Sequence, residues 1–419
     1  MNLVYRFFRL DLKRTDDRNA WYLCLEILWA SFLSAAATFN SAYAVRLEAT
    51  SFQVGLLSSI PALMAIITAI PAGWFLQRRS NPKKWILGSL AIHRAGFLLV
   101  AAVPWILLPF ISQGFLVVII LILISIPANF FNVGFIPMLG ETTPEDRRAA
   151  VFSARSVINN AVLMIFTFLF GQWLKHIAFP VNYQAMYLVG FITSMMSNYY
   201  LFKIVVPDRP VQPQQPRERK SFGIIVRQLK EFSTEHSAFI RITRNTLMHG
   251  IGLWAASPLY VLYYLRERHA SEDWLGLLTT LTAISVIAGN AFYRWLIRKI
   301  GEQRTLRISI MIVGIYPILA GISPTLTPIL FAACLNGFNS AGVNLSHFNT
   351  LLKSTPEHNR PGYTAIYMTV MNVGAFIMPL VGVTVADQIG LPATLIGCGV
   401  LSILGSSSFW FSPVKPKNG

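Results

Sequence analysis

Glu26 is the one carboxylate set well inside a long apolar run of this chain. Arg94, Arg155 and Arg244 are embedded in the same way, as are His93, His249 and His347. At the centre of a bilayer an Arg or Asp costs about 2.5–3.5 kcal/mol on insertion scales, so each such group needs a partner or a task. Glu26 lies about seven residues into its run, roughly 10 Å along a helix rising 1.5 Å per residue. Arg94 lies roughly 15 Å deep from the same side, a gap that an arginine side chain spans. The spacing therefore predicts a Glu26–Arg94 pair. It would be either a structural ion pair or a proton-coupling carboxylate governed by its arginine. Arg155 could bond Glu141, Glu145 or nearby helix-end carbonyls. It could instead meet an anion at the inner mouth of a cavity, because a guanidinium fork suits carboxylates and phosphates. Arg244 is expected to snorkel, and His93 to be a bonded, buried imidazole.

Amides form the second group. Asn336, Asn339, Ser340, Val343, Asn344 and His347 follow i, i+3, i+4, i+7, i+8, i+11, which is one helix face. Such a polar stripe does not suit lipid. It either bonds neighbouring helices or lines an aqueous cavity. Asn129 and Asn132, Asn159 and Asn160, Asn290, and Tyr367 with Asn372 add further polar groups in other runs. Ser34, Thr38 and Asn40 stand in the first run, and His249, Trp254 and Tyr260 in the seventh. A cavity built from Asn40, Asn129, Asn132, Arg155, Asn159, His249, Trp254, Asn290, Asn336, Asn339, Asn344, His347 and Asn372 would be amide-rich and neutral to slightly positive. It would suit hydroxyls, carboxamides, zwitterions or anions, whereas a pocket for lipophilic cations would ask for a buried carboxylate and more aromatics, and the sequence offers only Glu26.

The elements that must carry these groups are membrane helices. The 419 residues are 54% hydrophobic and only 13% charged, about half the roughly 25% of a soluble domain. Apolar runs long enough to cross a bilayer recur along the whole chain. Twelve spans are expected at 20–45, 52–76, 84–108, 113–136, 149–173, 181–204, 239–264, 273–297, 303–323, 326–349, 362–386 and 391–412. The polar interval 205–238 separates six from six. Within it Phe222, Ile225, Val226, Leu229 and Phe232 are spaced for an amphipathic surface helix, and Arg217 to Lys220 for contact with anionic lipid. Of the 35 Lys and Arg, 28 fall on the side that holds both termini, four on the other and three inside spans. That bias places both termini in the cytoplasm. The net charge of +17 thus reflects membrane orientation, and no nucleic-acid partner is expected. Cys24, Cys334 and Cys398 lie in apolar runs and read as inert thiols. The charged stretch from Met1 to Asn19 does not look like a cleavable signal.

The two sets of six repeat each other. Thr143-Pro144-Glu145-Asp146-Arg147-Arg148 matches Thr355-Pro356-Glu357-His358-Asn359-Arg360 at an offset of 212, and Asn132/Asn344 and Asn160/Asn372 share that offset. Gln53-Val54-Gly55-Leu56-Leu57 matches Trp274-Leu275-Gly276-Leu277-Leu278. Duplicated six-span units are the build of secondary transporters with a substrate site between the repeats.

Over nearly its whole length the chain resembles the major facilitator superfamily of secondary transporters. That family carries a Gly-x-x-x-Asp-Arg-x-Gly-Arg-Arg-like loop between spans 2 and 3. Here the loop reads Gly73-Trp74-Phe75-Leu76-Gln77-Arg78-Arg79-Ser80-Asn81-Pro82-Lys83-Lys84, so Gly73, Arg78 and the two lysines fit while Gln77 replaces the acid. Arg298-Lys299-Ile300-Gly301-Glu302-Gln303-Arg304 is a weaker echo. The resemblance implies a charge latch that Gln77 cannot complete. The stretch from Pro137 to Arg148 resembles the family's loop between spans 4 and 5, with proline ending one helix and Thr-Pro-Glu opening the next. The resemblance also implies that spans 1, 4, 7 and 10 line the pathway.

The expectation is an all-α polytopic membrane protein with 12 transmembrane helices in two pseudo-symmetric six-helix halves, 1–204 and 239–419, joined by a linker at 205–238. Its function would be secondary active transport of a small polar or anionic solute by alternating access, with proton coupling left open. Export of amphipathic drugs or lipids is the alternative, followed by a non-transporting sensor or scaffold. A lipid-modifying membrane enzyme would need a titratable cluster near one interface, and none is found. No phosphate loop, metal-spaced Cys/His set or nucleophile elbow occurs, so no cofactor is expected. Expected partners are a small-molecule substrate, membrane lipids and, if coupled, protons. The protein is expected to be a monomer in a bacterial cytoplasmic membrane.

Overall fold

The computed structural model describes residues 12–206, 237–355 and 360–412. The expected surface helix at 222–232 and the basic stretch at 217–220 lie outside them. Among the described residues the regular structure is helical: α1 (Thr15–Ala37), α2 (Asn40–Arg46), α3 (Ser51–Gln77), α4 (Pro82–Ala102), α5 (Gln113–Thr142), α6 (Glu145–His176) and α7 (Val181–Lys203). After the linker come α8 (Ser237–Leu262), α9 (Glu272–Ile300), α10 (Glu302–Ile322), α11 (Leu326–Ser354), α12 (Arg360–Ile389) and α13 (Leu391–Phe411). Among the described residues, ten stretches are long and apolar enough to cross a membrane. The other two long helices are diluted by polar groups: Asn182, Gln184 and four tyrosines in the case of α7, and Arg241, Arg244, Asn245 and His249 in that of α8.

Local signals set the helix ends. Thr50 and Gln53 close a capping box on α3, with 2.9 and 3.2 Å bonds. Pro82 opens α4, where its missing N–H costs nothing. Gly301 and Gly390 precede α10 and α13 at φ +84° and +88°, a region that glycine enters freely. Two expectations are corrected. The first apolar run is not one helix: it breaks after Ala37, where the Thr38 hydroxyl bonds the Ala35 carbonyl at 2.7 Å, and resumes as α2. Pro137 does not end its helix either, because α5 continues to Thr142 and the break falls at Thr143-Pro144.

The chain divides into two compact units. The first takes 1–53, 64–212 and 271–280, the second 54–63, 213–270 and 281–419. Within the first, α1 packs on α6 and α7, and α4 on α5 and α7. Within the second, α8 packs on α12 and α13, and α10 on α11 and α13. With α1 matched to α8 and α7 to α13, the two patterns are the same, so the sequence repeat is also a packing repeat. The start of α9 belongs to the first unit. There Glu272 accepts from Arg46 at 2.6 and 3.0 Å and from the Tyr183 hydroxyl at 3.4 Å, and Lys175 meets Asp273 at 2.8 Å.

Without a hydrophobic drive between helices in lipid, close packing depends on small residues. A Cβ on Gly252 of α8 would lie 2.2 Å from the Cys398 carbonyl oxygen of α13, and one on Gly405 would lie 2.3 Å from that of Met248. Gly252→Ala should therefore destabilise the protein by about 1–3 kcal/mol. Gly88→Ala, where a Cβ meets nothing within 4 Å, should be neutral or stabilising by roughly 0.5–1 kcal/mol. Thermal unfolding of both variants in detergent checks the contrast.

Candidate functional site

Each unit holds a buried polar cluster inside its helices. In the first, Glu26 of α1, Arg94 of α4 and Arg155 of α6 are only 3%, 3% and 8% exposed. Arg155 Nη1 donates to Glu26 Oε2 at 2.6 Å and also to the Leu23 carbonyl. Ser197 of α7 donates to Glu26 Oε1 at 3.0 Å and accepts from Arg94 Nη2 at 2.8 Å. Arg94 Nη1 donates to the Ser194 carbonyl, and its Nη2 stands 3.9 Å from Glu26 Oε1. The expected Glu26–Arg94 pair is thus present as the longer contact, relayed by Ser197. The shorter one was not expected. It forms because α1 and α6 run side by side and Glu26 meets Arg155 there; the side chain of Glu145, an expected partner, lies outside those described.

Two guanidinia face one carboxylate here, so the cluster carries an excess positive charge. Every polar group in it has a partner, as low-dielectric surroundings demand. Nearer the start of α1, buried Asp17 pairs with Arg147, and Asn19 bonds the Val205 backbone at 2.9 and 3.0 Å. His93 bonds the Ile124 carbonyl at 2.9 Å, and Arg244 lies exposed near the start of α8.

The second unit places a different set of side chains at the corresponding positions. His347 Nε2 lies 2.8 Å from the Thr246 hydroxyl of α8 and 3.3 Å from the Tyr367 hydroxyl of α12. At the repeat offset of 212, Tyr367 is the counterpart of Arg155, and His347 that of Phe135. Arg155 also lies over the Phe135 ring, 5.3 Å from its centroid. An arginine on a phenylalanine in one unit is therefore a tyrosine on a histidine in the other. Reading the two halves at that offset would have found this correspondence from sequence. One turn further along α8, His249 Nδ1 is held by Ser406 at 2.8 Å and Ser402 at 3.0 Å, both on α13.

The remaining candidate residues separate into bonded and unbonded sets. Asn40 accepts from the Tyr187 hydroxyl at 2.9 Å, and Asn159 from Ser31 at 2.9 Å. Asn339 is buried, accepts from Tyr293 of α9 and donates to the Leu335 carbonyl at 2.7 Å. Trp254 lies against Gly250 and Gly374, where a Cβ would strike its ring at 2.6 and 2.4 Å. The other set, Asn129, Asn132, Asn290, Asn336, Asn344 and Asn372, makes no side-chain hydrogen bond among the described residues. Asn132 and Asn344, repeat counterparts on α5 and α11, are both exposed. The α11 stripe accordingly divides: Asn339 ties α11 to α9, while Asn336 and Asn344 are uncommitted. Among the described residues no three His, Cys, Asp or Glu side chains are placed to hold a metal ion.

Removing one partner of a buried ion pair leaves an uncompensated charge, costing about 3–5 kcal/mol. Glu26→Gln, which strands both guanidinia, should lower the unfolding temperature accordingly. Adding Arg155→Met removes one of the two stranded charges and should restore part of that loss, so the two changes should be strongly non-additive in a thermal-unfolding cycle.

A family model described as the Major Facilitator Superfamily matches residues 23–250 and 242–419. No curated protein matches the chain. Among solved structures it is similar to an inward-facing, unoccupied bacterial homolog to the human lysosomal transporter Spinster, with 13% identity, a TM-score of 0.66, and 97% of this chain and 100% of that one covered. It is also similar to a POT family transporter in complex with a thioalcohol-conjugated peptide, with 13% identity, a TM-score of 0.72, and 94% and 96% covered. A third is the nucleoside transporter NupG, with 13% identity, a TM-score of 0.65, and 95% and 99% covered. At such identities the likeness is one of fold.

Proposed function

The chain belongs to the Major Facilitator Superfamily, and on that premise we propose that it is a secondary active transporter of a small polar or anionic organic solute. It works by alternating access through twelve spans, six in each half (1–204 and 239–419), with both termini on the cytoplasmic side of a bacterial membrane.

The observation that carries this reading is the pair Asn132 and Asn344. Each is exposed, each lacks a side-chain bond among the described residues, and they recur at the repeat offset of 212. An amide turned to hydrocarbon forfeits its hydrogen bonds. Two of them at matched positions are better accounted for by water, and a polar path through an apolar protein is what a transporter needs. Asn129, Asn336 and Asn372 join them as candidate lining residues. The preference for anions rests on the Glu26–Arg94–Arg155 cluster, whose two guanidinia outnumber its carboxylate. Glu26 is gripped by Arg155 and Ser197, which supports a structural ion pair over a freely titrating coupling group. A scaffold would have no use for unbonded amides in its spans.

Ligand-induced thermal stabilisation across sugars, organic anions, zwitterions and lipophilic cations tests the substrate class. A ligand that binds only the folded protein adds about 2.7 kcal/mol at 100 times its Kd. Stabilisation by organic anions or polar zwitterions, reduced in Asn344→Leu, is expected. Stabilisation by lipophilic cations alone would instead make this an exporter of amphipathic drugs.

A further inference from the structure

The loop in which Gln77 replaces the expected acid has an arrangement that the transport reading does not use. Pro71, Trp74, Phe75, Arg78 and Arg79 line a cavity of about 280 Å³ where α3 ends. The Arg79 guanidinium lies over two rings, 4.6 Å from the Phe75 centroid and 5.0 Å from that of Trp85 on α4. The two rings, set edge to face at 85°, hold the guanidinium in place by cation–π attraction. Among the described residues, neither the Arg78 nor the Arg79 guanidinium has a hydrogen-bond or ion-pair partner. No Asp or Glu occurs between Glu48 and Glu141, so neither α3, α4 nor the loop joining them supplies one. Lys83 is already occupied, donating to the Phe202 and Ile204 carbonyls at 2.6 Å. Trp74 and Trp85 are 52% and 48% exposed, and indoles at the end of a span sit at headgroup level.

We propose that Arg78 and Arg79, walled by Trp74, Phe75 and Trp85, form a binding site for the phosphodiester headgroup of an anionic phospholipid. The planar fork of Arg79 suits two phosphate oxygens at once, Arg78 adds the second charge, and the exposed indoles accompany the glycerol and upper acyl region. The apolar flank is what selects a lipid over a free phosphate, since inorganic phosphate gains nothing from tryptophan. With a glutamine at position 77, no neighbouring carboxylate competes for the arginines. The site lies apart from the buried clusters, so its failure would leave the transport reading untouched.

Native mass spectrometry of the purified full chain tests this with phosphatidylglycerol against phosphatidylcholine of the same acyl chains. Wild-type protein should retain phosphatidylglycerol preferentially. Arg78→Gln with Arg79→Gln should lose that preference by about fivefold per arginine. Arg298→Gln with Lys299→Gln, at the matching end of α9, should keep it. If the double glutamine variant does not fold, Arg79→Lys is read instead: it keeps the charge but loses the fork, and retention should still fall. Equal retention by wild type and the arginine variants would overturn the proposal, as would equal loss in the α9 variant, which would mark generic basic attraction. Release of the lipid by millimolar inorganic phosphate would also overturn it, showing a small-anion site rather than a lipid site.

Discussion

The ion pair between Glu26 and Arg155 is the interaction on which the first unit depends most. A bilayer offers no water to a stranded charge, so the two side chains must find each other within the helices. In doing so, with Ser197 and Arg94, they tie α1, α4, α6 and α7 into one polar knot. Apolar contacts alone would leave those helices free to slide, because lipid tails compete for the same surfaces. Directional bonds at fixed depth remove that freedom. The glycine contacts between α8 and α13 do similar work in the second unit by steric fit.

The two units share their packing but not their chemistry. The position of Arg155 on α6 becomes Tyr367 on α12, and that of Phe135 on α5 becomes His347 on α11. The contact survives duplication while its charge is lost. One unit thus holds a fixed, net positive cluster, and the other an imidazole among hydroxyls.

Much of this was legible in the sequence, for identifiable reasons. Helix positions followed from apolar run length, and the repeat from matched Asn and Thr-Pro-Glu positions. Glu26 and Arg94 could be brought together by depth alone. What depth could not give was azimuth, the direction each side chain takes around its helix. Arg155 therefore emerged as the closer partner of Glu26 only once α1 and α6 were seen side by side. The same lack hid the fate of the α11 stripe, where Asn339 faces Tyr293 while Asn344, five residues on, is exposed. The break after Ala37 leaves no signal in the sequence, because Thr38 and Phe39 are compatible with a continuing apolar run.

A polar path through a protein otherwise built to exclude water should carry a solute that is small and polar or anionic. Counterflow in proteoliposomes is the most direct measurement, with the protein reconstituted alone and loaded with unlabelled organic anions and zwitterions in turn. Accumulation of the labelled solute is expected for at least one of them, greatly reduced in Asn344→Leu protein that folds normally. Absence of counterflow for every such solute, alongside protein-dependent movement of a lipophilic cation, would contradict it.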